Sequence, residues 1–260
     1  MRLDNDYYID FIELETERLI DAARTVPLDT RVPTAPDWDV AALLWHLTEV
    51  QTFWSTVVAE RLMDPEGYRE PDRPHDDGLL VGSLDSAKTF LVRTLREADP
   101  QMPCYTWSTE KNAGFVMRRQ AHEALIHRAD AEAAAGRSSA LDPALAQDGV
   151  DEILNVFIAG IPEWAMFTDA GKTVRIDDRE WRWDLLIGRM TGTSPNSGKT
   201  YDIDAAVVVD AVHQPDATIT GTASRLDLWL WGRAPLAAVE VTGDPALATL
   251  LRQIASDATQ

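Results

Sequence analysis

Residues 121–127 read AHEALIH and place a carboxylate and two imidazoles on one predicted helix, which runs from about residue 114 to 135. An α-helix turns by about 100° per residue, so Glu123 and His127 lie about 40° apart around the axis and share one face. His122 and His127 lie about 140° apart, and they do not share a metal ion without distortion of the helix. Glu123 and one imidazole are therefore candidate metal ligands, and spacing alone leaves His122 as an alternative to His127.

Helical spacing of apolar residues continues through the rest of the first half. It is clearest from Tyr7 to Ile20 and from Leu43 to Val57. The predicted helices begin near Tyr7, Trp38, Leu80, Gly114 and Gly149. The segment 33–36 is predicted to be a linker, 64–78 a long polar connection and 99–112 a loop. The first half is thus predicted to be a helical bundle.

From about residue 170 the apolar residues alternate in the manner of strands. The predicted strands are 173–176, 181–183, 201–205 and 217–220, and the predicted helices that accompany them are 223–231 and 245–255. We therefore predict an α+β fold, with a four-helix bundle over residues 1–168 and a small α+β domain over residues 169–260.

Composition narrows the class of function. The formal net charge is −19, and no basic stripe offsets it, which argues against nucleic-acid binding. No apolar stretch approaches the length of a signal peptide or a membrane span, so a soluble cytoplasmic protein without a membrane partner is expected. Cys104 is the only cysteine, which excludes an internal disulfide and a multi-cysteine metal site. It is expected to be an inert buried thiol.

A third metal ligand is suggested by His46, which lies in the apolar run LLWHL at residues 43–47 and is expected to point inward. With Glu123 and one imidazole of the later helix it would give a site of three protein ligands with an open position, as in catalytic metal sites. Asp130 is a candidate for orienting an imidazole, and an ion pair with Arg128 is its alternative role. A histidine on an apolar helix face is more often a hydrogen-bonded core residue, so the pattern alone leaves a structural role open.

Longer motifs resemble a known family. Residues 36–54, PDWDVAALLWHLTEVQTFW, resemble the second-helix signature of the mycothiol-dependent maleylpyruvate isomerase family, which belongs to the DinB-like metal-binding bundles. Residues 118–136, RRQAHEALIHRADAEAAAG, resemble its other core motif, and DGVDE at 148–152 a segment that follows. GTAS at 221–224, LWLWGR at 228–233 and VTGD at 241–244 resemble its small C-terminal domain, which is often compared with sterol-carrier proteins. The resemblance covers nearly the whole chain.

The resemblance implies a divalent metal ion, with zinc expected, held by His46, Glu123 and His127, which leaves His122 outside the ligand set. It implies an arginine of the C-terminal domain that helps the active site, for which Arg233 is the preferred match and Arg225 the second. It also implies mycothiol as the thiol cosubstrate. In the resembled isomerase the thiolate adds to the double bond of maleylpyruvate, and rotation and loss of the thiolate give fumarylpyruvate.

Three functions follow as hypotheses. The first is a metal-dependent isomerase or S-transferase that acts on a small electrophilic substrate with a low-molecular-weight thiol. The second is a metal-dependent hydrolase that uses no thiol. The third is a non-enzymatic protein that binds a metal or another ligand.

Overall fold

Side-chain caps mark the beginning of three of the four bundle helices in the computed structural model, which describes residues 2–259. Asp39 Oδ1 accepts a hydrogen bond from Ala42 N at 2.8 Å, and Asn112 Oδ1 accepts one from Phe115 N at 2.9 Å. These caps satisfy amide groups that have no partner within the first helical turn. The helices are α1 Asn5–Ala23, α2 Val40–Ala59, α3 Leu80–Glu97 and α4 Ala113–Ala134.

These helices form one compact unit, residues 2–140, in which α1 packs mainly on α4 and α2 on α3. The predicted four-helix bundle is therefore present. Leu43, Leu44 and Leu47 of α2 are fully buried together with Leu80 and Leu84 of α3. Full burial of one such side chain contributes about 1.5–3 kcal/mol, so the apolar stripe read from the sequence is the main source of the bundle's stability.

The segment predicted as a linker is instead a short antiparallel hairpin. Its strands are β1 Arg31–Val32 and β2 Ala35–Asp39. The amide groups of Val40 and Ala41 bond back to the carbonyl oxygens of Thr30 and Leu28, at 3.1 and 2.9 Å. Prolines commonly interrupt strands, but those at 33 and 36 lie at the turn and on a two-stranded ribbon, where a missing amide donor costs little.

The second compact unit begins at Leu141 and contains a mixed sheet. Its helices are α5 Pro143–Glu152, α6 Ala223–Leu230 and α7 Pro245–Ala258. Its strands run in the order β5-β4-β3-β6-β7, and the β3–β6 pair is parallel while the other pairs are antiparallel. The strands are β3 Ala165–Asp177, β4 Arg182–Thr193, β5 Thr200–Val209, β6 Ala217–Thr220 and β7 Glu240–Gly243. The fold is α+β, as predicted.

The division between the two units falls after Ala140, earlier than the predicted boundary near residue 168. Val150 and Leu154 lie in the same buried cluster as Val174 and Ile176 of β3, so α5 belongs to the core of the sheet. The helix predicted to reach residue 167 ends in a π-helical turn, Ile153–Ile158, because glycine and proline follow at 160 and 162. β3 then begins at Ala165, earlier than predicted.

None of the helices in the described part of the chain is long and apolar enough to cross a membrane.

Candidate metal centre

Three side chains from α2 and α4 converge on one point of the bundle. Glu123 Oε1 lies 3.2 Å from His46 Nε2 and 3.2 Å from His127 Nε2. One donor atom from each of the three residues lies within 4.8 Å of the other two. His127 is buried, while His46 and Glu123 are partly exposed, so the cluster lies at the edge of the core and has access to solvent.

The geometry follows from local helix spacing plus the crossing of two helices. Glu123 and His127 are four residues apart on α4 and face the same side, as predicted. His46 comes from the first half of α2, and its ring lies 4.9 Å from the ring of His127, nearly perpendicular to it. The His46 side chain, which lies within the apolar run at residues 43–47, thus points from α2 toward α4.

Trp38 covers the two imidazoles. Its ring lies 4.7 Å from the ring of His46 and 5.7 Å from that of His127, and it stacks on the latter at 27°. Trp38 belongs to β2, so the hairpin that replaces the predicted linker supplies one wall of the cluster. An indole in this position excludes water from one side and restricts both rings.

The Nδ1 atom of His127, on the side of the ring away from Glu123, forms a hydrogen bond with the buried carboxylate of Asp130. Asp130 Oδ2 lies 3.0 Å from His127 Nδ1, and Thr34 Oγ1 donates to Asp130 Oδ1 at 2.5 Å. Asp130 is fully buried. Such a carboxylate fixes the orientation of an imidazole ligand and makes its other nitrogen more basic. The predicted role of Asp130 therefore has the expected contact, while Arg128 pairs with Glu15 and Glu132 instead.

Arg119 fixes the other oxygen of Glu123. Its Nη2 donates to Glu123 Oε2 at 3.1 Å, one helical turn before the carboxylate. Because Oε2 is occupied in this way, Oε1 is the oxygen that faces the two imidazoles.

Burial disfavours the charged forms of His127 and Glu123, and hydrogen bonds and neighbouring charges in the cluster favour them. Burial lowers the pKa of His127, but hydrogen bonds to Asp130 and Glu123 outweigh it and raise this pKa to about 9. Burial raises the pKa of Glu123, but hydrogen bonds from His127 and His46 and the charge of Arg119 outweigh it, and this pKa lies well below its usual value. Without a metal ion, the charged form of His127 is therefore stabilised between Glu123 and Asp130.

This donor set fits a divalent metal ion. Two imidazole nitrogens and one carboxylate oxygen are the ligands of several catalytic zinc sites, where the protein leaves one position open. The carboxylate that holds His127 Nδ1 leaves Nε2 as the ligand atom. Each contact between Nε2 and Glu123 Oε1 requires a proton that a cation would replace, since both atoms are otherwise acceptors.

His122 lies on a different face of α4. It is buried, and its ring lies 6.2 Å from the ring of Tyr8 on α1. The structure thus separates His122 from the cluster, a choice that helical spacing had left open. Cys104 is also buried, and burial raises the pKa of its thiol to about 11, in line with the expected inert role.

The predicted arginines belong to the second unit. Arg233 follows α6, and its Nη1 donates to the carbonyl of Trp231 at 2.6 Å. Arg225 is exposed in the first turn of α6. Sequence reasoning did not find Thr34, Trp38 or Arg119 as parts of the cluster. Arg119 had a signal, because it precedes Glu123 by four residues on one helix face.

Two family models match the chain. The mycothiol maleylpyruvate isomerase N-terminal domain matches residues 12–132, and the MDMPI C-terminal domain matches residues 144–250. The first of these ranges contains His46, Glu123 and His127, and the second contains Arg233.

Two solved structures share the fold. A crystal structure of a histidine-to-alanine mutant of the mycothiol-dependent maleylpyruvate isomerase is 12% identical, with a TM-score of 0.59 over 92% of this chain and 93% of that chain. A crystal structure of the mycothiol-dependent maleylpyruvate isomerase is 13% identical, with a TM-score of 0.58 and the same coverage. No curated protein matches the chain by sequence.

Proposed function

Since the chain belongs to the mycothiol-dependent maleylpyruvate isomerase family, we propose that it is a metal-dependent enzyme that isomerises or S-transfers a small electrophile with a low-molecular-weight thiol. His46, Glu123 and His127 would hold the metal ion, with zinc expected. The observation that carries the proposal is the position of Glu123 Oε1, 3.2 Å from both Nε2 atoms.

A divalent ion bound here would polarise a substrate oxygen and lower the pKa of a thiol that meets it. The chain's own residues prepare the site for this. Asp130 holds Nδ1 of His127, so that Nε2 is presented to the cluster. Arg119 holds one oxygen of Glu123, and Trp38 shields the imidazoles on one side.

The thiol has to come from outside the chain. Cys104 is fully buried in the bundle, and a thiol with a pKa of about 11 is almost wholly protonated at neutral pH. The name of the family points to mycothiol as the external thiol. In the family reaction, addition of such a thiol to an activated double bond permits rotation, and its departure returns the thiol unchanged.

Arg233 is proposed as the residue that binds a carboxylate of the substrate or the cosubstrate. Its guanidinium group presents a planar set of donors that matches the two oxygens of a carboxylate. One Nη1 hydrogen already bonds the carbonyl of Trp231, which restricts the side chain before any ligand binds.

Metal analysis tests the ligand set. Glu123→Ala is expected to lose bound zinc after dialysis, whereas Glu97→Ala, which removes an exposed carboxylate from α3 of the same bundle, is expected to keep it. If Glu123→Ala retained all of its zinc, the proposal that His46, Glu123 and His127 bind the metal ion would be wrong.

Calorimetry tests the thiol. Mycothiol is expected to bind the zinc-loaded protein and not His46→Ala. Turnover of an electrophile without thiol would favour the hydrolase instead. Loss of zinc from His46→Ala with no change in cellular function would favour a non-enzymatic role.

A further inference from the structure

A cavity lies where α2 and α3 of the helical bundle end. Its volume is about 410 Å³. Val58 and Ala98 lie in its wall, close to the last residues of the two helices. Val58 comes after His46 on α2 and lies about 18 Å from it along the helix axis, at 1.5 Å per residue. The proposed metal ligands do not line the cavity, so it is separate from the candidate metal centre.

Two arginines lie in the wall of this cavity, and neither has an acidic partner within residues 2–259. Arg61 follows α2, and its guanidinium group forms no hydrogen bond or ion pair with the described residues. Arg93 of α3 lies over the ring of Phe90, with Cζ 5.3 Å from the ring centroid. A contact with the face of a ring leaves the N–H donors of a guanidinium group available. The chain has 43 acidic and 24 basic residues, so two arginines without an acidic partner in one cavity require an explanation.

The hydroxyl group of Thr94 also lies in the wall of the cavity. The residue is only 8% exposed. Thr52 and Thr56 of α2 donate their hydroxyl hydrogens to carbonyl oxygens one helical turn earlier. Thr94 forms no such bond, and it has no other hydrogen-bond partner among the described residues. Because nearly buried polar groups are almost always hydrogen-bonded, the partner of this hydroxyl group comes from outside the chain.

Arg61 occupies a position where glycine is usual. Its amide donates to the carbonyl of Val58 at 3.3 Å, and the amide of Leu62 donates to the carbonyl of Val57 at 3.0 Å. These two bonds are the Schellman arrangement, which ends a helix with one residue in the left-handed conformation. That residue is Arg61, with a φ of +53°. Glycine adopts this conformation without strain, so the turn itself gives no reason for an arginine.

We propose that this cavity binds a small carboxylate that carries an apolar body. Arg61 and Arg93 would pair with the carboxylate, and Thr94 would donate its hydroxyl hydrogen to it, because carboxylate oxygens accept several donors at once. Phe90 and Met102 supply an apolar wall for the rest of the ligand. This binding does not depend on the proposed function or on a metal ion.

The charge of the cavity favours a ligand with one negative charge. Glu97 lies in the wall with the two arginines, so the three side chains together carry one positive charge. A carboxylate balances that charge. A phosphate monoester carries nearly two negative charges at about pH 7 and would exceed it.

A purely structural role for Arg61 gives different expectations. Both helices end at this cavity, and an arginine offsets the partial negative charge of a helix C-terminus. In that case its removal lowers the melting temperature of the ligand-free protein and leaves carboxylate affinity unchanged. With the proposed role, Arg61→Gly leaves the melting temperature unchanged or raises it, because glycine relieves the left-handed strain, and carboxylate affinity falls.

The test is calorimetric titration of the full chain with phenylbutyrate at low ionic strength. Phenylbutylamine, acetate and phenyl phosphate are titrated separately, to vary the charged group and the apolar body. The variants are Arg61→Gly and Thr94→Val. The matched control is Arg24→Gln, which removes an exposed arginine of the same unit that pairs with Asp21 outside the cavity. Each titration is repeated in His46→Ala freed of metal, because carboxylates also bind metal ions.

Wild type, Arg24→Gln and His46→Ala are expected to bind phenylbutyrate alike. Arg61→Gly is expected to bind it roughly ten- to hundredfold more weakly, as for a lost hydrogen bond to a charged group, and Thr94→Val several-fold more weakly. Unchanged affinity in Arg61→Gly overturns the proposal. So does absence of binding to wild type at millimolar phenylbutyrate, or loss of binding in His46→Ala, which would place the carboxylate at the metal centre.

The other ligands test the assigned chemistry. Binding of phenylbutylamine as tight as that of phenylbutyrate overturns the carboxylate assignment, and so does tighter binding of phenyl phosphate. Equal affinity for acetate overturns the apolar body. If Arg61→Gly fails to fold, Thr94→Val decides: weaker binding of phenylbutyrate supports the proposal, and unchanged binding overturns it.

Discussion

Replacement of Asp130 by asparagine gives the sharpest test of how the cluster is built. Asp130 Oδ2 lies 3.0 Å from His127 Nδ1, and the side chain is fully buried, so asparagine keeps the shape and removes the charge. Two consequences with opposite signs are expected. The loss of the carboxylate that orients His127 lowers the affinity for a metal ion. It also lowers the pKa of His127, so that less proton competition opposes metal binding.

The magnitudes follow from the pKa of His127. In the wild type this pKa is raised to about 9, so a metal ion must displace a proton at pH 7, at a cost of roughly 3 kcal/mol. Metal affinity is thus expected to fall about a hundredfold from pH 9 to pH 7. Loss of a carboxylate that supports a ligand typically costs about ten- to a hundredfold in metal affinity. Asp130→Asn should show that full deficit at pH 9.

At pH 7 the deficit should be smaller. The pKa of His127 falls when Asp130 is neutralised, so the variant has less proton competition to overcome. The two curves of zinc affinity against pH are therefore expected to converge toward pH 7. Titrations in chelator-buffered zinc between pH 7 and 9 measure them, with Asp29→Asn, an exposed aspartate of the same unit, as the control. Parallel curves, or curves that coincide at pH 9, would refute the reasoning.

Three further outcomes are expected. The folded pKa of His127 is raised above its ordinary 6.5, so its contribution to stability is fully present below pH 6.5 and is lost as pH rises through about 9. The melting temperature of the metal-free protein should fall over that range, and a flat profile would contradict this. Arg128→Met should destabilise the bundle by about 3 kcal/mol in urea unfolding, the low end for a broken buried ion pair, because buried Glu15 then keeps only the half-exposed Arg18 as its partner; the loss should shrink when Glu15→Gln is added. Cys104 should not react with a thiol reagent at pH 8 until the protein is unfolded, and rapid reaction of the native protein would show that it is accessible.

The sequence predicted the features of the fold that depend on neighbours along the chain. The boundaries of α3 and α4 were close to those observed, because helical periodicity and caps are local. β4 was predicted only at 181–183, although it extends to Thr193. Gly188 hides its continuation, since a β-carbon there would lie 2.2 Å from the carbonyl oxygen of Thr168, and the glycine interrupts the pattern that predicts a strand.

The candidate metal site also combines features that local sequence predicts with features that only the packing of helices explains. The shared face of Glu123 and His127 follows from four-residue spacing, which any α-helix of this sequence would produce. The family motif implied His127 rather than His122, and the packing of α4 accounts for this choice, because the face with His127 meets His46 of α2 and the face with His122 meets Tyr8 of α1.

What the sequence determined by itself is which groups share a helix face, because that depends only on the turn per residue. What only the tertiary structure decided is what each face meets. Thr34 and Trp38 belong to the hairpin, and they precede Asp130 and His127 by 96 and 89 residues in the chain. They reach these two residues through the packing of that hairpin on the bundle. Contacts at such separations depend on how buried surfaces fit together, and no local pattern encodes them.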